Sequence, residues 1–214
     1  MEILNLYAGI GGNRKLWGDE HEITAVEYNE DIANIYKKFY PNDTVLVEDA
    51  HEYLLNNYQD YDFIWSSPPC PTHSVTNNFL HAQGVRRYPD MSLWQEIILL
   101  KKWFKGKWVV ENVTTYYEPF YMPMVLDRHY FWSNFEITPL KIYRDFNIAN
   151  AKACSRQSPE ENMKSLSDYH GIYLDKNVKN ARKLLRNCVN PKLGKHIFDC
   201  MLKSLEVKQQ DKLI

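Results

Sequence analysis

The first half of the chain alternates short apolar runs with amphipathic stretches, a pattern that a compact domain satisfies by threading parallel strands through crossover helices. Strands are expected at Ile3–Tyr7, Ile23–Glu27, Thr44–Val47, Phe63–Ser66 and Trp108–Glu111. Between them, Asn13–Gly18, Glu30–Phe39, Ala50–Asn56 and Ser92–Phe104 carry helical patterns, with Asn29 and Asp49 placed to cap the second and third. Residues 122–137 turn to short aromatic-rich β segments that suit antiparallel pairing, with Trp132-Ser133-Asn134 as the reversal. Ser158-Pro159-Glu160-Glu161 reads as a helix start, whereas the rest of 138–175 has no sheet pattern. Asn190-Pro191 opens a last helix that runs to about Ser204. The expected fold class is α/β, with a mostly parallel central sheet and helices on both faces, in one domain or one domain with a small appendage.

The net charge of −1 conceals an asymmetry, because residues 1–75 are net −9 and residues 76–214 net +8. Such a division suits a cofactor half and a polyanion-facing half, provided the basic residues gather on one surface. The four cysteines, Cys70, Cys154, Cys188 and Cys200, have no C-x-x-C spacing, and the seven histidines have no metal-ligand spacing, so no metal site is expected. The N-terminus lacks a secretory layout, and no apolar run approaches the roughly 18 residues of a membrane span. A cytoplasmic protein without a membrane partner is the expectation.

Leu6-Tyr7-Ala8-Gly9-Ile10-Gly11-Gly12 directly follows the first strand, where glycines let a backbone approach a ligand closely. Glu27 ends the second strand 18 residues after Gly9, near the roughly 20 expected of an acid that takes two ribose hydroxyls. Asp49 ends the third, so three strand ends point to a nucleoside-containing cofactor at the carboxyl edge of the sheet. The most specific element is Ser66-Ser67-Pro68-Pro69-Cys70-Pro71-Thr72-His73-Ser74, at the end of the fourth strand. A lone cysteine is ordinarily a packing residue. Two prolines and a strand-end position instead place the Cys70 thiol for nucleophilic attack. Trp108-Val109-Val110-Glu111-Asn112-Val113 brings a carboxylate to the same edge. A thiol and an acid of adjustable pKa beside a nucleoside suit attack on an electron-poor ring that must be protonated elsewhere.

These residues resemble the cytosine-5 DNA methyltransferase family. Leu6–Gly12 looks like its F-A-G-x-G-G cofactor motif with Tyr7 for the usual Phe, Pro68-Pro69-Cys70 like its nucleophile motif, and Glu111-Asn112-Val113 like its E-N-V motif. Arg128, two residues before Tyr130, resembles the second arginine of Q-x-R-x-R, and Asn187-Cys188-Val189-Asn190-Pro191 resembles the closing G-N-x-V-x-P. All five occur in family order and span nearly the whole chain.

The resemblance implies a Rossmann-like S-adenosylmethionine-dependent methyltransferase fold with a small recognition appendage. Its parts would be a catalytic and cofactor-binding domain (1–134), a target-recognition region (135–185) and a C-terminal helix returning to the catalytic domain (186–214). It further implies that Cys70 adds to carbon 6 of a flipped cytosine, that Glu111 holds ring nitrogen 3 and the exocyclic amine, and that Arg128 contacts oxygen 2. Tyr7, Ala8, Gly9, Gly11, Gly12, Glu27, Tyr28, Asp49, Ala50, Pro68, Asn187 and Val189 would bind S-adenosylmethionine. The loop Thr72–Pro89 would close over double-stranded DNA, with Ser74, Arg86 and Arg87 on its phosphates, and Lys141 and Arg144 would reach the DNA from the recognition region. Lys152, Arg156, Tyr143, Phe146 and Tyr169 would assist there.

Some positions depart from the family. Pro71 stands for Gln, His73 for an aromatic, Met124 and Leu126 for the Gln and first Arg of Q-x-R-x-R, and Arg186 for the Gly before Asn187. None removes the thiol or the acid. Only Phe135–Leu185 is available where relatives carry a long recognition domain. That shortness predicts shallow sequence recognition, or help from a partner chain or an oligomer, and suggests a virus- or mobile-element-borne enzyme that modifies DNA as in restriction-modification. The same groups would serve an RNA cytosine-5 methyltransferase, since some relatives with DNA-type motifs modify tRNA. An amino-group methyltransferase expects Asp or Asn before Pro-Pro, which Ser67-Pro68-Pro69-Cys70 does not offer. A module that only binds nucleic acid or cofactor would not need the complete set of reactive groups.

Overall fold

The computed structural model describes residues 1–143, 146 and 158–210, the side chains of 207–210 excepted. Its strands are β1 (Glu2–Leu6), β2 (Glu22–Val26), β3 (Thr44–Leu46), β4 (Phe63–Ser66), β5 (Lys107–Val113), β6 (Met124–Leu126) and β7 (His129–Ser133). They form one sheet in the order β3-β2-β1-β4-β5-β7-β6, with β1 to β5 parallel and β7 antiparallel to both of its neighbours. The helices are α1 (Glu30–Phe39), α2 (Ala50–Asn57), α3 (Asn77–Ala82), α4 (Ser92–Lys102), α5 (Pro159–His170), α6 (Ala181–Asn187) and α7 (Pro191–Gln210). Asn29 and Asp49 cap α1 and α2 through their side chains, as expected, and Ser158 forms a capping box with Glu161.

Period-two alternation explains why the central strands read as continuous apolar runs. Ile3, Phe63, Trp65 and Val109 face α7, where they pack with Leu193, Ile197, Phe198 and Met201. Leu4, Leu6, Ile64, Trp108 and Val110 face the other way, onto Leu54 of α2 and Leu93, Trp94, Ile97 and Leu100 of α4. Trp17 stacks on Phe198 with ring centroids 5.1 Å apart, which joins the segment after the glycine loop to α7. A separate cluster packs Leu166 of α5 and Leu185 of α6 over Ile10 and the α1 residues Ile32 and Ile35.

Several local expectations change. The β6–β7 reversal falls at Asp127-Arg128, not at Trp132-Ser133-Asn134. Asp127 takes φ +54, a left-handed conformation that Asp tolerates, while Trp132 and Ser133 stay paired with β5. Asn134 ends the strand instead, accepting from the Trp108 N–H and donating to the Gly106 carbonyl. The Asn13–Gly18 pattern yields only a 3-10 turn, Arg14–Leu16. The Thr72–Pro89 loop contains α3, and α7 continues past Ser204 to Gln210.

Arg14 and Asp43 are both 3% exposed and joined by two hydrogen bonds of 3.0 and 3.1 Å, and the Tyr36 hydroxyl donates to Asp43 at 2.8 Å. This pair braces the segment below the glycine loop against α1 and the approach to β3. Because removing Asp43 leaves the buried Arg14 guanidinium with only the exposed Asp19, at 3.1 Å, as an acidic partner, Asp43→Ala is expected to lower unfolding free energy by about 3 kcal/mol, measured by urea denaturation.

Candidate active site

Parallel strands deliver their carboxyl ends to one edge, and the strand order reverses between β1 and β4. Open α/β sheets bind ligands in the crevice at such a switch point. The loop after β1 and the loop after β4 flank it, and these are the glycine loop and the Pro68-Pro69-Cys70 turn.

Tyr7 leaves β1 in a left-handed conformation, φ +54, and Gly9 follows at φ +55 with no side chain near its open face. The Gly9 N–H donates to Glu27 Oε2 at 3.0 Å and the Asn29 N–H to Oε1 at 2.9 Å, so Glu27 is fixed just past β2. Each carboxylate oxygen keeps a lone pair for another donor. Asp49 and Tyr28 are exposed at the same edge, while Ala8, Ala50 and Pro68 are buried beneath it. A Cβ on Gly12 would collide with Cys188 Sγ and the Val189 carbonyl, so Gly12 seats the closing segment, whose Asn187 remains exposed. An open-faced glycine, a fixed carboxylate and a second acid over an apolar floor fit a nucleoside cofactor.

Cys70 is partly exposed on the β4 loop. Glu111, the third residue from the end of β5, is 8% exposed. Antiparallel pairing sets the first residue of β7, His129, opposite Val113 at the carboxyl end of β5. The hairpin tip therefore holds Arg128 near Glu111 and Cys70, and the charges of all three are felt mutually. Burial pushes the Cys70 thiol up, the Glu111 carboxylate adds to the rise, and Arg128 offsets part of it. Burial also raises the Glu111 carboxyl from 4.5 to about 7, against the opposing pull of a Ser67 hydrogen bond and of Arg128. The Trp65 indole N–H donates to Ser67 Oγ at 2.9 Å, completing an indole, hydroxyl and carboxylate chain. His129 Nε2 lies 3.6 Å from Glu111 Oε1, and Arg128 Nη2 donates to the Arg186 carbonyl at 3.1 Å.

Of the expected nucleic-acid contacts, Ser74 bridges to Thr115 beside the end of β5. Arg87 is exposed and donates to the Pro71 carbonyl at 3.2 Å, so the loop folds back on the residue after Cys70. Arg86 and Lys141 are exposed, and Arg144, with Lys152 and Arg156, lies outside the described residues. Sequence reasoning missed Glu96, which is fully buried and accepts hydrogen bonds from Tyr7 and Ser66. Its signal was an acid on the apolar stripe of α4, between Leu93 and Leu100. Among the described residues no cluster of metal-ligating side chains occurs, and no helix is long and apolar enough to cross a membrane.

A carboxyl raised in the folded state favours folding below its ordinary pKa, and that contribution is lost as pH rises through the folded value. Wild-type stability should thus fall by roughly 2–3 kcal/mol relative to Glu111→Gln between pH 4.5 and pH 8, measured by paired urea unfolding series.

Residues 1–119 of the 214 match the family model described as C-5 cytosine-specific DNA methylase. No curated protein matches the sequence. Among solved structures, Spodoptera frugiperda DNMT2 (an E260A/E261A/K263A mutant) aligns with a TM-score of 0.60 at 16% identity, covering 94% of this chain and 99% of that one. The Entamoeba histolytica methyltransferase EhMeth aligns at 0.58 and 11% identity, covering 96% and 98%. At such identities these two establish a shared fold, the Rossmann-like methyltransferase sheet. The family match over more than half of the sequence extends from the glycine loop through the Cys70 turn to Glu111, and the chain belongs to the C-5 cytosine-specific DNA methylase family, whose methyl donor is S-adenosylmethionine.

Proposed function

We propose that this chain methylates carbon 5 of a cytosine flipped out of double-stranded DNA, through a covalent adduct with Cys70. The observation that carries the reading is the convergence of Cys70, Glu111 and Arg128 on one sheet edge beside the glycine loop.

Gly9, Glu27 and Asp49 would hold the cofactor, with Tyr7, Ala8, Gly11, Gly12, Tyr28, Ala50, Pro68, Asn187 and Val189 around them. When bound there, S-adenosylmethionine supplies an electrophilic methyl group. Cys70 gives its proton to solvent water and its sulfur bonds to carbon 6, moving the ring π electrons toward carbon 5. Glu111, near half-protonated at neutral pH, donates to ring nitrogen 3 and so offsets the charge that addition creates. Arg128 holds oxygen 2 and favours the thiolate. Carbon 5 would take the methyl group as the methyl–sulfur bond of the donor breaks and S-adenosylhomocysteine leaves; its proton would then pass to solvent water as the Cys70–carbon 6 bond breaks, which restores both the aromatic ring and the Cys70 thiolate.

Phosphate contacts come from the loop residues Ser74, Arg86 and Arg87, from Lys141 and Arg144, and from a basic segment beside the site. Lys176, Lys179, Arg182, Lys183, Arg186, Lys192 and Lys195 occur with no acidic residue before Asp199. Lys176, Lys179, Lys183 and Lys192 are exposed, and the segment is tied to the reacting groups by the bond from Arg128 to Arg186. This is the footprint of a polyanion.

Transfer of labelled methyl to DNA and, separately, to total RNA tests the reading. 5-Methylcytosine in DNA supports it, and label in RNA alone overturns the choice of substrate. Cys70→Ala should abolish transfer yet leave cofactor binding intact, and Glu111→Gln should slow transfer by roughly 100-fold or more. Reversing Lys176, Lys179 and Lys183 together to Glu should weaken duplex binding and lower the salt slope by roughly 0.9 per lost contact, with S-adenosylhomocysteine binding unchanged.

A further inference from the structure

Glu96 is 0% exposed, yet three side chains from three separate segments converge on it. The Tyr7 hydroxyl donates to Oε1 at 2.6 Å, the Ser66 hydroxyl donates to Oε2 at 2.6 Å, and His51 Nδ1 lies 3.0 Å from Oε1. Tyr7 belongs to the glycine loop, Ser66 closes β4 just before the Cys70 turn, and His51 sits in the first turn of α2, two residues after Asp49. One carboxylate thus joins three of the segments that build the carboxyl edge, two of them flanking the switch point.

The geometry also sets the charge of His51. Its Nε2 lies 3.2 Å from Gln95 Oε1, so both ring nitrogens face oxygens and both are best satisfied as donors. Asp49 and Asp90 add negative charge around the ring, and Tyr7 approaches the same carboxylate. These neighbours raise the His51 pKa above 6.5, chiefly through the Glu96 bond.

A buried charge pair is a poor route to stability, because desolvation offsets most of the attraction. What this one does achieve is conformational. Tyr7 holds φ +54, a region that bulky residues avoid, and its ring is anchored there by the phenol bond to Glu96. A phenylalanine at position 7 could not make that bond.

We propose that Glu96 is a positioning residue of the cofactor pocket: through its contacts to Tyr7, Ser66 and His51 it holds the glycine loop and the start of α2 in the arrangement that receives S-adenosylmethionine. The proposal rests on the cofactor lying at this edge. Because deprotonation of His51, as pH rises through its raised pKa, removes the charge of this pair and one of the two ring donors, cofactor affinity falls on the alkaline side.

The test is calorimetric affinity for S-adenosylhomocysteine, using the full chain from pH 6 to pH 9, with folding of each variant checked by circular dichroism. Glu96→Gln and Tyr7→Phe should each weaken binding by about tenfold or more, as loss of a hydrogen bond to a charged group does. In Glu96→Gln, KM for S-adenosylmethionine should rise in parallel while kcat falls by less than about threefold, a split expected of an interaction made equally in ground and transition states. The alkaline loss of affinity in the wild type should vanish in His51→Gln. Unchanged affinity in folded Tyr7→Phe, or an unaltered pH profile in His51→Gln, overturns the positioning role. Binding retained in Asp49→Ala would instead overturn the placement of the cofactor at this edge.

Discussion

Five adjacent parallel strands must be covered on both faces, since every strand after the first is reached by a crossover. Here Ile3 and Leu4, Phe63 and Ile64, and Val109 and Val110 divide neighbour by neighbour between the α7 face and the α4 face. With both faces committed to core, the only surface left for chemistry is the edge where the strands end. The glycine loop, Glu27, the Cys70 turn and Glu111 all follow from that single constraint. The reversal of strand order between β1 and β4 then opens a crevice between the glycine loop and the Cys70 turn.

The electrostatics of this edge are balanced rather than extreme. Burial holds the Cys70 thiol protonated at rest, and the same burial brings the Glu111 carboxyl to about 7. Arg128 favours the ionised form of both, so any group that engaged Arg128 would alter two titrations together. Cys188 offers a contrast within the chain. Burial pushes its thiol up to about 12, with no acid partner beside it, and it packs against Gly12 as an inert residue.

Late segments complete a site that the first 113 residues only begin. Cys188 and Val189 seat against Gly12, the Trp17 indole donates to the Gly194 carbonyl at 3.3 Å, and Arg128 reaches the Arg186 carbonyl. α5 and α6 rest on Ile10 and α1, which sets the basic segment beside the groups proposed to hold the cytosine.

Local sequence determined the order of the five parallel strands and of α1, α2, α4 and α7, though not α3 or α6, together with the caps at Asn29 and Asp49, the helix start at Ser158 and the positions of the glycine loop and the Cys70 turn, because each depends on neighbours within a few residues. It misjudged the β6–β7 reversal, since Asp127 carries no stronger turn signal than Ser133-Asn134, and only pairing of Trp132 with Val110 decides between them. It also passed over Glu96, because an acid on a helix is ordinarily solvated and its three donors are distant along the chain. Charges separated by tens of residues acquire their pKa values and partners only when burial removes water around them. For that reason the chemical identity of the edge was written in the sequence, while the state of Glu111, the pairing of His51 with Glu96 and the contact of Arg128 with Arg186 were decided by the tertiary structure alone.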